Sequence, residues 1–255
     1  MNALTIVALV TFSLEITLIL CLTFVPNLGL FGKNLIEAIT KAPGLDLLVS
    51  LMLWIPWLIG ALWGGIWGIM TAVAVQIATM QLWIFVHELV HRNVVRGPRI
   101  VSFLNQQIGW WRNHIALWST IIVVPAFCLI RLAQVTVYPI LIWALGFPNY
   151  KHSDWINVSR HKFQGLVGHD LIWCLYCDWM TGVYALGAEM LRNVESFWCP
   201  IRFYSDKKCE NCQREFPDLN DWVAVNGDMQ DVEQLLQNKY SDRVRSWFGH
   251  PDRKQ

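Results

Sequence analysis

The sequence predicts an all-α, polytopic integral membrane protein. Four or five spans fill residues 1–147, and a small cytoplasmic, Cys- and His-rich helical tail fills residues 148–255. Composition gives the first reason: 55% of residues are hydrophobic and only 15% are charged, where a soluble domain carries about a quarter. Charge distribution gives the second. Glu15 is the only charge from Met1 to Gly32, the 40 residues from Leu47 to Val86 have none, and Arg131 is the only one in the 33 residues from Ile115 to Phe147. A spanning helix needs roughly 20 mostly apolar residues. Most charges follow Pro148, which sets the boundary between the two parts. A net charge of +1 offers no basis for nucleic-acid binding.

The first apolar run lacks a basic leader and is interrupted by Glu15, so it reads as a retained span rather than a cleaved signal. Glu15 either serves a function inside the membrane, faces a neighbouring helix or sits near an interface. The second run is long enough for two passes. A hairpin is expected, turning between Pro56 and Gly65, where Gly60, Gly64 and Gly65 cluster. The third run suits two short passes or one pass plus a buried turn; the topology favours a second hairpin, kinked or turned near Pro125 to Arg131. Lys33 and Lys41 precede the first hairpin, and Arg92, Arg96, Arg99 and Arg112 follow it. Basic short loops stay cytoplasmic, which puts the tail there too. In that compartment the Asn157-Val158-Ser159 sequon is silent.

Within the tail, the apolar stretch from Gly165 to Trp198 carries Trp173, Trp179 and Trp198 and reads as an interfacial helix. It would bring His169, Asp170, Glu189 and Glu195 near the end of the first hairpin. Residues 222–236 look faintly like half an ankyrin repeat, which cannot bury its own apolar face. An amphipathic helix from about Met229 to Phe248, started by Asp228, is the simpler reading.

Two constellations carry chemistry. His87-Glu88-Leu89-Val90-His91 matches H-E-x-x-H. On a helix, residues four apart share a face, so both imidazoles can reach one ion, while Glu88 serves as a general base in a zinc hydrolase or as a ligand or supporting group in an iron site. The same residues also suit a plain polar helix end. The second constellation is cysteine. Five of the seven lie in the tail: Cys174, Cys177, Cys199, Cys209 and Cys212. Two C-x-x-C pairs with reduced cytosolic thiols point to zinc, or to an iron–sulfur cluster, more than to disulfides. Cys174 and Cys177 also suit simple burial, with Cys199 then completing a site with Cys209 and Cys212. Cys21 and Cys128 read as packing residues within spans.

The stretch His87-Glu88-Leu89-Val90-His91-Arg92 resembles the first histidine box of membrane fatty acid desaturases and the related alkane hydroxylases. His114 stands before the second apolar run, and His152, His161 and His169 follow it. The resemblance implies iron held by His87, His91, His114, His161 and His169, a lipid-like substrate and an electron-donor protein. It covers one motif and a topology; the family's paired histidines have no counterpart here. Asp170, Glu189 or Glu195 would then supply carboxylate ligands.

Three functions remain open: a membrane-bound, iron-dependent oxidoreductase acting on a lipid-like substrate; a membrane zinc metallopeptidase using Glu88 as base; and a non-catalytic scaffold or assembly factor with a zinc-binding tail.

Overall fold

A computed structural model describes residues 2–198, Val223 and 227–240. The described residues are all-helical, with no β-strand among them. Three segments are long and apolar enough to cross a membrane: Ala3–Asn27, Gly44–Val90 and Trp110–Leu145. Their surfaces agree with that reading, since Leu62 (82%), Ile122 (78%) and Trp143 (85%) are exposed. Lipid-facing apolar side chains have no water to avoid. The chain is an integral membrane protein.

The first compact unit comprises Met1–Ile122 and His152–Gly182. Helix α1 (Ala3–Phe24) starts on Asn2, whose side chain accepts the Thr5 N–H at 2.8 Å. Helices α2 (Gly29–Ile39) and α3 (Gly44–Val49) lead through a π-helical turn, Ser50–Trp54, into α4 (Ile55–Val90). Helix α4 is not straight. Gly65 takes φ 58°, ψ −143°, open to glycine and not to other residues. Past it the chain doubles back. Trp57 Nε1 donates to Gln76 Oε1 at 2.6 Å, and Gln76 Nε2 donates to the carbonyls of Met52 and Leu53. Residues 57 and 76 would stand about 28 Å apart on a straight helix. The reversal expected between Pro56 and Gly65 therefore occurs, at its last residue. Its arms meet backbone to backbone: a Cβ on Gly60 would stand 2.6 Å from the Gly68 carbonyl oxygen.

A short helix α5 (Arg92–Val95) follows, then α6 (Ile100–Ile108) and α7 (Trp110–Ser119). They fold back at Gly109 (φ 87°), where Asn113 Nδ2 donates to Asn105 Oδ1. Segment 40–42 pairs with 156–158 after α10 (His152–Trp155): Ala42 N–H donates to Ile156 O, and Val158 N–H to Thr40 O. Helix α11 (Gly168–Trp198) begins in this unit.

The second unit comprises Val123–Lys151 and Val183–Gln255. It holds α8 (Val124–Thr136), α9 (Tyr138–Leu145), the later part of α11 and α12 (Met229–Tyr240). The turn expected between Pro125 and Arg131 does not exist, because both residues lie inside α8. Pro125 sits in the first turn of that helix, where the missing N–H has no partner to lose. Val137 keeps right-handed helical backbone, so α8 passes into α9 without reversal. Helix α12 starts at Met229 after Asp228, whose carboxylate accepts the Gln230 and Asp231 N–H groups. These units do not follow the 147/148 composition boundary. That boundary marks where charge begins, whereas packing assigns residues 152–182 to the first unit.

Candidate functional site

The H-E-x-x-H segment closes α4, and in the first unit it meets the start of α11. The first N–H groups of any helix lack intrahelical partners. Here the motif supplies them. Gly168 N–H donates to His87 Nδ1 at 3.0 Å, and His169 N–H donates to Glu88 Oε1 at 3.0 Å. A carboxylate also suits the positive end of the α11 dipole. Gly168 has φ +50°, and a Cβ there would run into the Glu88 side chain, so only glycine fits the joint.

Arg99 holds the same oxygen, its Nη2 standing 2.7 Å from Glu88 Oε1. Arg99 Nε bonds Asp170 Oδ2 at 3.0 Å, and Nη2 also reaches Val167 O. Asp170 Oδ1 accepts the Val101 N–H, capping α6 from outside. Arg99 and Asp170 are nearly excluded from solvent, with side chains 6% and 5% exposed. Burial alone would lower the Arg99 pKa, but its bonds to Glu88 and Asp170 outweigh that and raise it above the ordinary value. One guanidinium therefore joins the end of α4, the start of α6 and the start of α11.

Beside this joint lies an aromatic wall. The His114 and His169 rings meet edge to face at 5.2 Å, and Trp110 packs on His114 at 4.6 Å. Trp173 Nε1 donates to His169 Nε2 at 3.2 Å, so the neutral ring carries its proton on Nδ1. Burial, then His114, pushes the His169 pKa down, against the pull of Asp170 and Glu88. A depressed folded pKa means the unfolded chain takes the proton first. His169 thus supports the fold fully above about pH 6.5, and that support fades as pH falls toward the lower folded value. Thermal melts of the solubilised protein should show stability dropping from pH 7 to pH 5. His169→Gln should flatten the profile; an unchanged slope would contradict this assignment.

The metal readings meet a geometric obstacle. An imidazole ligates along an in-plane lone pair at about 2.0–2.1 Å. The His87 and His91 rings instead stack, with centroids 4.3 Å apart and planes 29° apart, and Trp83 extends the stack at 4.7 Å from His87. Their lone pairs run side by side rather than converging. His87 Nδ1 is occupied by Gly168 N–H, which puts the neutral ring's proton on Nε2. Glu88, the expected base, is an ion-pair acceptor. His91 Nδ1 lies 2.9 Å from the His87 carbonyl. Among the described residues no three His, Cys, Asp or Glu side chains stand together as a metal ion requires. As arranged, these residues do not fit an iron centre or an H-E-x-x-H zinc centre.

The structure brings His87, Glu88, His114, His169 and Asp170 into one neighbourhood, as the tail helix was expected to do for His169 and Asp170. His161 stands instead by Asp178, its pKa lowered by burial and Lys162 against the pull of Asp178. Glu189 and Glu195 belong to the second unit. Cys174 and Cys177 lie one turn apart on α11, with Cys177 exposed. Burial chiefly raises the Cys174 thiol pKa, Arg160 opposing, which disfavours the metal-binding thiolate. Cys199, Cys209 and Cys212 fall outside the described residues.

The sequence reading missed Arg99 as the centre of the joint. The signal was present: Glu88 is the only acidic residue close to the arginines from Arg92 to Arg112. It also missed a buried network in the second unit. Tyr150 Oη donates to Glu189 Oε1, Asn193 Nδ2 donates to Tyr150 Oη, and Arg192 pairs with Glu189 at 2.8 Å. In the same unit, Arg131 Nη1 donates to Gln134 Oε1, and Gln134 Nε2 to Val183 O. Arg131 was visible as the lone charge of its apolar run.

No protein-family model, no curated protein and no solved structure matches this chain.

Proposed function

We propose that the protein is a non-catalytic membrane scaffold or assembly factor whose cysteine-rich tail binds zinc. The observation that carries this reading is the use of His87 and Glu88. Both are spent on the N–H groups of Gly168 and His169, and Glu88 also on Arg99. A base locked to a buried guanidinium is poorly placed to take a proton from a substrate or water. The reversal at Gly65 favours two passes for segment 44–90. With α1 and the 110–145 segment, which runs from α8 into α9 without reversal, that supports four passes in all. The arginines of residues 92–112 favour a cytoplasmic tail.

Elemental analysis of the purified full chain tests the proposal. Wild type should carry zinc that Cys209→Ser/Cys212→Ser loses and His91→Ala keeps. Iron lost from His91→Ala would overturn the scaffold reading in favour of the iron oxidoreductase. Zinc lost from His91→Ala, with proteolysis abolished by Glu88→Gln, would overturn it in favour of the peptidase.

A further inference from the structure

Glu15 lies in the middle of α1, in the first apolar segment, and is 5% exposed. Val7, Thr11 and Glu15 recur every four residues and are all buried, so they form the face that α1 packs on α4. Two contacts set the register. A Cβ on Gly64 would stand 3.0 Å from Leu4 Cδ2, and the Glu15 carboxyl lies against the Gln76 carboxamide. Helix α1 therefore runs alongside the second arm of the α4 hairpin in the same direction. Thr11 falls one turn to one side of the Glu15–Gln76 level, and Thr79 one turn to the other.

The hydrogen-bond ledger of this layer is unbalanced. Both N–H groups of Gln76 are given to Met52 O and Leu53 O, and its Oε1 already accepts from Trp57. Gln76 has acceptor capacity left, and any N–H it offers the Glu15 carboxyl is shared with a backbone carbonyl. Glu15 Oε1, Thr11 Oγ1 and Thr79 Oγ1 are each buried without a hydrogen-bond partner, and Thr11 and Thr79 are 0% and 2% exposed. Orphaned buried oxygens are costly and rare. No lysine or arginine occurs in α1 or from Gly44 to Val90. The ionisable groups on the packed elements are distant or turned away. Asp46 lies before the first arm, His87 and Glu88 sit about 17 Å further along the second, and Cys21 is exposed. Glu15 thus has Thr11 one turn before it on the same buried face and the Gln76 carboxamide beside it, with no lysine or arginine on these helices.

We propose that Glu15, with Thr11 and Gln76, binds a small monovalent cation, a proton or a sodium ion, inside the apolar helix bundle. Oxygen ligands suit a hard cation, and ionisable groups kept within spans mark ion pathways or sites. The proposal is independent of the scaffold reading, since it uses none of the residues of the α4–α11 joint.

The test uses the wild-type full chain in lipid nanodiscs and a lipid-soluble carbodiimide, which adds covalently to carboxyls that carry a proton. The adduct on the Glu15 peptide is read by mass spectrometry across pH, in choline chloride or sodium chloride at equal ionic strength. A proton site predicts labelling that falls about tenfold per pH unit above its midpoint and ignores sodium. A sodium site predicts the same fall, with labelling suppressed further by sodium. Sodium should then also raise the melting temperature of wild type but not of Glu15→Gln. In both cases Thr11→Val should shift the midpoint. A Glu15 peptide recovered without adduct at every pH would overturn the proposal. Labelling indifferent to both pH and sodium would overturn it as well.

Discussion

Arg99→Ala should destabilise the first unit by about 3–5 kcal/mol, the cost of breaking a buried ion pair by removing one partner. The loss strands two carboxylates together. Asp170 is 5% exposed, Glu88 is 26% exposed, and both are held by this one guanidinium. Arg99→Lys should rescue little. Nε and Nη2 engage Asp170 and Glu88 as a rigid fork, and an ammonium on a flexible stem cannot reproduce it. Denaturant titration of the solubilised protein, followed by tryptophan fluorescence, checks this. Arg99→Met combined with Glu88→Gln and Asp170→Asn should recover part of the loss, because it removes the stranded charges as well. A loss below about 1 kcal/mol for Arg99→Ala would place this pair with ordinary surface ion pairs.

Gly68→Leu should do comparable damage by a different route. A Cβ on Gly68 runs into the Gly60 carbonyl across the hairpin, and neither backbone can yield without separating the arms. Overpacking typically costs about 1–3 kcal/mol when side chains can adjust; a backbone obstacle leaves less room, so a loss above about 3 kcal/mol is expected. The arms should part enough to break the bonds of Gln76 to Met52 O and Leu53 O. Leu62→Ala, at a side chain 82% exposed on the same hairpin, should fall within about 0.5 kcal/mol of wild type. Thermal melts of the two variants side by side check the contrast. Equal melting temperatures would mean the arms do not rely on the Gly60–Gly68 approach.

Both residues show how legibility divides. The glycine cluster announced a reversal, because glycines gathered within an apolar run favour a break in the helix over its continuation. Its location was therefore readable. That Gly60 and Gly68 would face each other was not, since that depends on how the arms pack. Pro125 misled in the opposite direction. A proline inside an apolar run suggests a turn, yet at the start of α8 it costs nothing, and sequence alone does not say where a helix begins.

The histidine motif followed the same logic. H-E-x-x-H on a helix puts both imidazoles on one face, and this much is local geometry. Whether their lone pairs converge is a matter of ring rotation, set by what packs against them. Trp83 stacks on His87 from within α4, while Gly168 N–H and Arg99 arrive from positions 81 and 11 residues away.

By itself the sequence determined the membrane character, the helical class, the first reversal and the neighbourhood of α11. Each follows from one-dimensional facts: run length, missing charge and glycine placement. Only the tertiary structure decided that Glu88 belongs to Arg99, that His87 caps α11 and that Glu15 stands among unpartnered oxygens. Those outcomes depend on which polar groups meet once apolar faces are packed. A buried donor or acceptor must take its partner from whatever chain the fold brings beside it.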